Sequence, residues 1–270
     1  VKKLVLIKGA GDLATGIAYR LFRSGFAVVM TELSQPMVIR RTAAFAEAIF
    51  TGEATVEGVV AVKTECNDVL SVIDKGQIPV VIDPQGLLVE KLQPVAVVDA
   101  ILAKKNMGTH IQDAQIVIGV GPGFSAGEDV HAVVESMRGH YLGRVITKGP
   151  AIADTGVPGD IGGYTKERIV RAPCAGLFTG VSKIGDHVFG GDIVAYVDQQ
   201  PVIAPITGTL RGLLHDDLMV QQGMKIGDVD PRCIREHCFS ISDKARSIGG
   251  GALEAILLFS RGNSLQENKN

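Results

Sequence analysis

The residues best suited to chemistry stand near the start of the chain. Gly9-Ala10-Gly11-Asp12-Leu13-Ala14 follows the apolar run Leu4-Val5-Leu6-Ile7, and a strand feeding Gly-x-Gly-x-x-Ala and then a helix is the pattern of a phosphate-binding turn. In that pattern Gly9 takes the tight turn. Gly11 lets the backbone approach a pyrophosphate with no Cβ in the way, and Ala14 keeps the helix against the strand. The free N–H groups of the helix start, beside Asp12, face an anion. Glu32 lies 21 residues beyond Gly11, about where a carboxylate takes ribose hydroxyls. The plainer alternative is a tight turn that holds no ligand.

Further candidates lie at the ends of later apolar runs. Asp83 follows Val80-Val81-Ile82, Asp99 follows Val95 to Val98, and Gly121 follows Ile116-Val117-Ile118. In an open sheet these ends gather at one crevice with Gly9 and Glu32. Asp99 is either a paired or reactive buried carboxylate or one exposed to water at a strand end. Glu135, Arg138 and His140 sit within six residues. Arg138 can clamp phosphate through its fork, and His140 and Glu135 are candidate acid or base groups, unless the stretch is a solvated loop. Arg40 and Arg41 are read as a solvated helix face, with phosphate contact as the alternative. Cys233, His237 and Cys238 offer three metal ligands without a local fourth, so reduced, partly buried thiols are expected and no metal site.

The elements that must position these residues follow from periodicity. Leu13, Ile17, Leu21 and Phe22 recur at helical spacing up to Gly25, and Ala27 to Met30 reads as a second strand. A helical stretch is expected from Pro36 to Gly52, then strands at Val59 to Val62 and Ile78 to Ile82 around a short helix from Asn67 to Lys75. Alternation of this kind implies an α/β fold, a Rossmann-like parallel sheet with helices on both faces. Pro150 to Tyr164 has the composition of a linker. Beyond it, Ala172-Pro173-Cys174-Ala175-Gly176 and Ala204-Pro205-Ile206-Thr207-Gly208 repeat at a spacing of 32, which suggests two copies about a pseudo two-fold axis. Ser242 can cap a last helix through Ala245, Ile248, Ala252, Ala255, Ile256 and Phe259. Gly249-Gly250-Gly251 inside it should cost about 3 kcal/mol relative to alanines, so close packing against another backbone is expected to offset it.

Composition bounds the partners. With 46% hydrophobic residues in 270 and a net charge of −2, the chain can bury a sizeable core and has no basic footprint for nucleic acid or a membrane surface. The first apolar run is too short for a signal-peptide core. A cytoplasmic protein is expected, with homo-oligomerisation left open.

Two resemblances add to this reading. Residues 170 to 230 resemble the barrel-sandwich fold of biotinyl and lipoyl carrier domains, yet the hairpin Val197-Asp198-Gln199-Gln200-Pro201-Val202 has no lysine, so neither biotin nor lipoate is expected. Three segments are expected: 1–165 as a Rossmann-like nucleotide-binding domain, 166–232 as a barrel-sandwich module, and 233–270 as a helical return to the first. Nearly the whole chain resembles the YqeB family of accessory proteins in selenium-dependent molybdenum hydroxylase systems. The resemblance rests on Lys8 to Gly16, Gly121-Pro122-Gly123-Phe124, Arg138 to Arg144, the repeat, and Ser242-Asp243-Lys244-Ala245-Arg246. It implies a helper that matures molybdenum hydroxylases, with those enzymes or other maturation proteins as partners. The crevice ligand is then a dinucleotide, either NAD(P) or a molybdopterin dinucleotide. The alternative function is an NAD(P)-dependent oxidoreductase.

Overall fold

The computed structural model describes residues 2–267, with side chains described from 2 to 260. In chain order come β1 (Leu4–Lys8), α1 (Asp12–Arg23), β2 (Ala27–Glu32), α2 (Ala48–Thr51), β3 (Glu53–Val56), β4 (Val59–Lys63), α3 (Val69–Asp74), β5 (Ile78–Ile82), α4 (Leu87–Leu92), β6 (Ala96–Asp99) and β7 (Ile116–Val120). The short strands β8 (Ser125–Ala126), β9 (Ala132–Val134), β10 (Val145–Ile146) and β11 (Gly149–Pro150) follow. Then come β12 (Ile169–Arg171), β13 (Gly176–Gly180), β14 (His187–Val188), β15 (Ile193–Val197), β16 (Gln200–Ile203), β17 (Gly208–Leu213), β18 (Met219–Val220) and β19 (Lys225–Asp230). The helix α5 (Asp243–Glu267) closes the order.

Nine strands form one sheet in the order β10-β9-β7-β6-β1-β2-β5-β4-β3. Its centre is parallel, and β1 lies between β2 and β6 with Lys8 beside Thr31 and Asp99. That register lines up the carboxyl ends where the first turn sits. Val5, Leu6 and Ile7 of β1 are fully buried, as an inner strand covered on both faces requires.

The expected Rossmann-like parallel sheet with a barrel-sandwich module is corrected by this topology. The large sheet is mixed, because β3 and β10 run antiparallel to their neighbours at its two edges. Glu57 and Gly58, both at positive φ, make the two-residue turn that folds β3 back on β4. No helix connects β6 to β7 or β7 to β9. The face that such crossovers would cover is taken instead by α5, whose Ile248, Ala252 and Ala255 are fully buried in the same apolar cluster as Ile17 and Leu21 of α1. Residues 36–52 form only two 3-10 turns and α2. They wrap the glycine turn through Ala46 N–H to Ala10 O at 2.8 Å and Phe45 N–H to Thr15 Oγ1 at 2.8 Å.

The repeat region forms two antiparallel four-stranded sheets, β12-β19-β17-β14 and β16-β15-β13-β18. Each sheet draws strands from both repeat copies. No strand of one sheet pairs with a strand of the other. The Leu213 N–H donates to Ile39 O at 2.8 Å, and a Cβ on Gly212 would meet that same oxygen at 2.9 Å, so β17 is keyed to the segment after β2.

The three glycines of α5 have separate tasks. A Cβ at Gly249 would come 2.6 Å from Gly16 O of α1, and one at Gly251 would strike Gly143 O. Gly250 faces open space. Among the described residues no helix is long and apolar enough to cross a membrane.

Candidate functional site

A cavity of about 520 Å³ opens where β1, β2, β5 and β6 end. Gly9, Gly11, Asp12, Ala14, Glu32 and Asp83 all line it, so the structure brings together six of the residues singled out above. The two glycines of the turn differ. Gly9 has φ +93°, its N–H donates to Thr31 O at 2.9 Å, and a Cβ there would press on Ala100 O at 3.1 Å. The fold itself requires glycine at that position. Gly11 has φ −63° and ψ 179°, which any residue can adopt, and a Cβ would find only Val38 Cγ2 at 3.7 Å. Gly11 is the N-cap of α1, and no side chain caps that helix. Its first turn therefore faces the cavity with backbone donors, as an anion site does.

The acids around the turn are oriented by the backbone. Glu32 accepts the Ala10 N–H at 3.0 Å and its neighbour Leu33 N–H at 2.7 Å. Burial raises its pKa, against these two hydrogen bonds that lower it. Asp83 accepts the Leu87 and Leu88 N–H groups at 3.0 and 2.8 Å, so it caps α4. Asp12 pairs with Arg40 at 3.2 Å.

Arg40 is the residue that sequence reasoning misplaced. It is buried, donates to His237 O at 2.8 Å and Ser240 O at 3.0 Å, and lines the cavity. Its neighbours in sequence carry no trace of this, because the carbonyls that hold it come from nearly 200 residues away. Asp99 is buried and accepts the Thr109 hydroxyl at 2.6 Å, while Lys8 Nζ donates to Thr109 at 2.8 Å and to Asp113 at 3.0 Å. That network anchors the 100–115 loop.

Gly121, Glu135, Arg138 and His140 do not line the cavity. Gly121 turns the chain at φ +77° against Ser136. Glu135 is buried with its two oxygens committed to Met137 N–H at 2.7 Å and Ile152 N–H at 2.8 Å, which braces two loops. Arg138 forks onto Asp243 at 2.7 and 3.0 Å and holds that carboxyl down at about 2. His140 is exposed with its ring edge-on to Tyr141. Among the described residues no three of His, Cys, Asp and Glu are grouped to hold a metal ion.

No protein-family model matches the chain. Among solved structures, it overlaps an aspartoacylase family protein of Mesorhizobium loti at 12% identity and a TM-score of 0.26, covering 84% of each chain. It overlaps a succinylglutamate desuccinylase/aspartoacylase of Rhodobacter sphaeroides at 14% identity and a TM-score of 0.27, covering 84% of this chain and 85% of that one. Overlaps this loose transfer no chemistry. The names of these neighbours mention neither molybdenum hydroxylase maturation nor NAD(P)-dependent oxidation, and the expected maturation role and its oxidoreductase alternative are not carried further. A curated relative, named Uncharacterized protein YqeB, of Escherichia coli (strain K12), is 51% identical over 257 residues. Its name assigns no activity. The match takes in 95% of this chain but 48% of the relative, so the chain spans about half the length of the protein it resembles. Identity at that level over nearly all of its residues supports placing the chain in the YqeB family.

Proposed function

We propose that the chain binds a dinucleotide whose ribose carries a free 2′-hydroxyl, in the cavity at the Gly9 to Ala14 turn. The observation that carries this reading is the space at Gly11. Its backbone conformation and its surroundings would accept a side chain, so the fold alone does not account for glycine there, whereas close approach of a pyrophosphate does. The uncapped start of α1 supplies N–H donors to that group. Glu32, already oriented by two backbone donors, has lone pairs left for ribose hydroxyls, and its carboxylate disfavours a 2′-phosphate at the same place. The volume suits a ligand of that size. The β15–β16 hairpin offers no lysine for biotin or lipoate, and the intact mass is expected to equal that of the bare polypeptide.

Calorimetry with a panel of mono- and dinucleotides tests the reading. Saturable binding by the wild type, lost in Gly11→Val and weaker for dinucleotides bearing a 2′-phosphate, is the expected result. A wild type that binds none of them at millimolar concentration would sink it.

A further inference from the structure

A second cavity, of about 290 Å³, lies between β17 and the start of α5 and is lined by Arg211, Arg232, His237, Ser240, Ser242 and Asp243 among others. Its charges do not balance. Asp12 is taken by Arg40, Asp228 by Arg168, Asp230 by Arg232 at 2.6 and 2.9 Å, and Asp243 by Arg138. Arg211 shares Asp228 and Asp230 with those arginines and has no carboxylate of its own. Its side chain is 8% exposed, its Nε has no hydrogen-bond partner, and its nearest carboxylate oxygens stand at 3.7 and 3.8 Å, beyond hydrogen-bond reach. Nδ1 of His237 is likewise buried and unpartnered. A buried guanidinium without a hydrogen-bonded anion is costly, and two unpartnered groups on one cavity wall mark a place where an acceptor belongs.

We propose that this cavity binds a compact tetrahedral oxyanion, inorganic phosphate or the phosphate of an ester, held by Arg211, Arg232, His237 and the N-terminus of α5. Several donors converge there from different elements. Ser242 Oγ accepts the Ala245 N–H at 3.2 Å, which leaves its own hydrogen free to donate. The α5 helix is long enough for its N-terminus to favour an anion. Asp243 also lines the wall, but both its oxygens are held by Arg138. Burial and the nearby Arg40 both lower the pKa of Arg211, and a bound anion would reverse that pressure.

The site is separate from the dinucleotide turn, although Arg40 touches both: one Nη is on Asp12 and the other on the carbonyls of His237 and Ser240. The test titrates inorganic phosphate into the wild type, Arg211→Met, His237→Phe and Gly11→Val, with chloride at matched ionic strength as control. Saturable phosphate binding and a raised Tm are expected for the wild type, with affinity weakened about ten-fold or more in Arg211→Met and about five-fold in His237→Phe. Gly11→Val should bind phosphate as the wild type does, which separates this result from failure of the dinucleotide reading. A second titration with a simple phosphate monoester, glycerol phosphate, in place of inorganic phosphate tells the two sources apart: tighter binding of the monoester assigns the site to an ester phosphate, and weaker binding assigns it to the free ion. No saturable binding by the wild type overturns the proposal. So does unchanged affinity in a folded Arg211→Met; if that variant does not fold, unchanged affinity in His237→Phe decides against it.

Discussion

Two glycine-rich stretches, the Gly9 to Gly11 turn and the Gly249 to Gly251 run of α5, use the same residue for opposite ends. In α5 the missing Cβ atoms at Gly249 and Gly251 are replaced by protein, the backbone carbonyls of Gly16 and Gly143. At Gly11 the missing Cβ faces a cavity. A glycine whose vacant side is filled by the chain is explained by packing. One whose vacant side is open needs another occupant, and that contrast is what separates a binding turn from a structural one.

The largest expected effect comes from breaking the packed side of the comparison. Gly251→Ala should destabilise the fold by about 2–3 kcal/mol, even after the roughly 1 kcal/mol that alanine gains over glycine in a helix. The added methyl meets Gly143 O and lies 2.8 Å from Val134 Cγ1, and neither can swing away as a flexible side chain would. Chemical denaturation measures it, and a neutral result would mean that α5 can shift on the sheet.

Gly11→Ala probes the open side. Stability is expected to change by less than about 0.5 kcal/mol, while dinucleotide affinity falls about ten-fold, a difference of about 1.4 kcal/mol. Affinity and Tm measured on the same variant check this. A loss of stability would class Gly11 with Gly9 and remove the distinction.

The start of α5 offers a third test, because an ion pair rather than backbone contact holds it. Arg138 keeps the Asp243 carboxyl at about 2, below its ordinary 3.8. A depressed acid stabilises the fold above its unfolded pKa, and that contribution is lost as pH falls from about 3.8 through about 2. Asp243 is 73% exposed, so screening reduces the contribution to about 0.5–1 kcal/mol. Arg138→Ala should cost that much at neutral pH and flatten the stability profile between those two pH values, with dinucleotide binding unchanged.

What could be read from the sequence follows the same division between local and distant. β1, the turn, α1 and Glu32 are contiguous, and each was legible because a strand, a glycine pattern and a helix leave periodic marks on neighbouring residues. The strain of three glycines in a helix was also legible, since its cost is local even though the partners that relieve it are not. Arg40 was illegible, because His237 and Ser240 bury it from the far end of the chain. Glu135, Arg138 and His140 misled by proximity: adjacent in sequence, they hydrogen-bond to Ile152, hydrogen-bond to Asp243 and face solvent respectively. The antiparallel edge was written in Glu57-Gly58, but a two-residue turn is a weak signal beside a long run of alternating strands and helices.

The smallest effect is the sharpest control on the whole comparison. Gly250 lies between the two packed glycines of α5, within the same helix, and nothing lies within 4 Å of where its Cβ would be. Its backbone is helical, so alanine fits without strain and narrows the conformational freedom of the unfolded chain. Gly250→Ala should therefore stabilise the protein by about 0.5–1 kcal/mol, opposite in sign to Gly251→Ala one residue away. Equilibrium denaturation of both variants in parallel tests it. If both lose stability, a general preference of this helix for glycine explains the run, and vacant space ceases to be a guide to which glycines serve a ligand, Gly11 included.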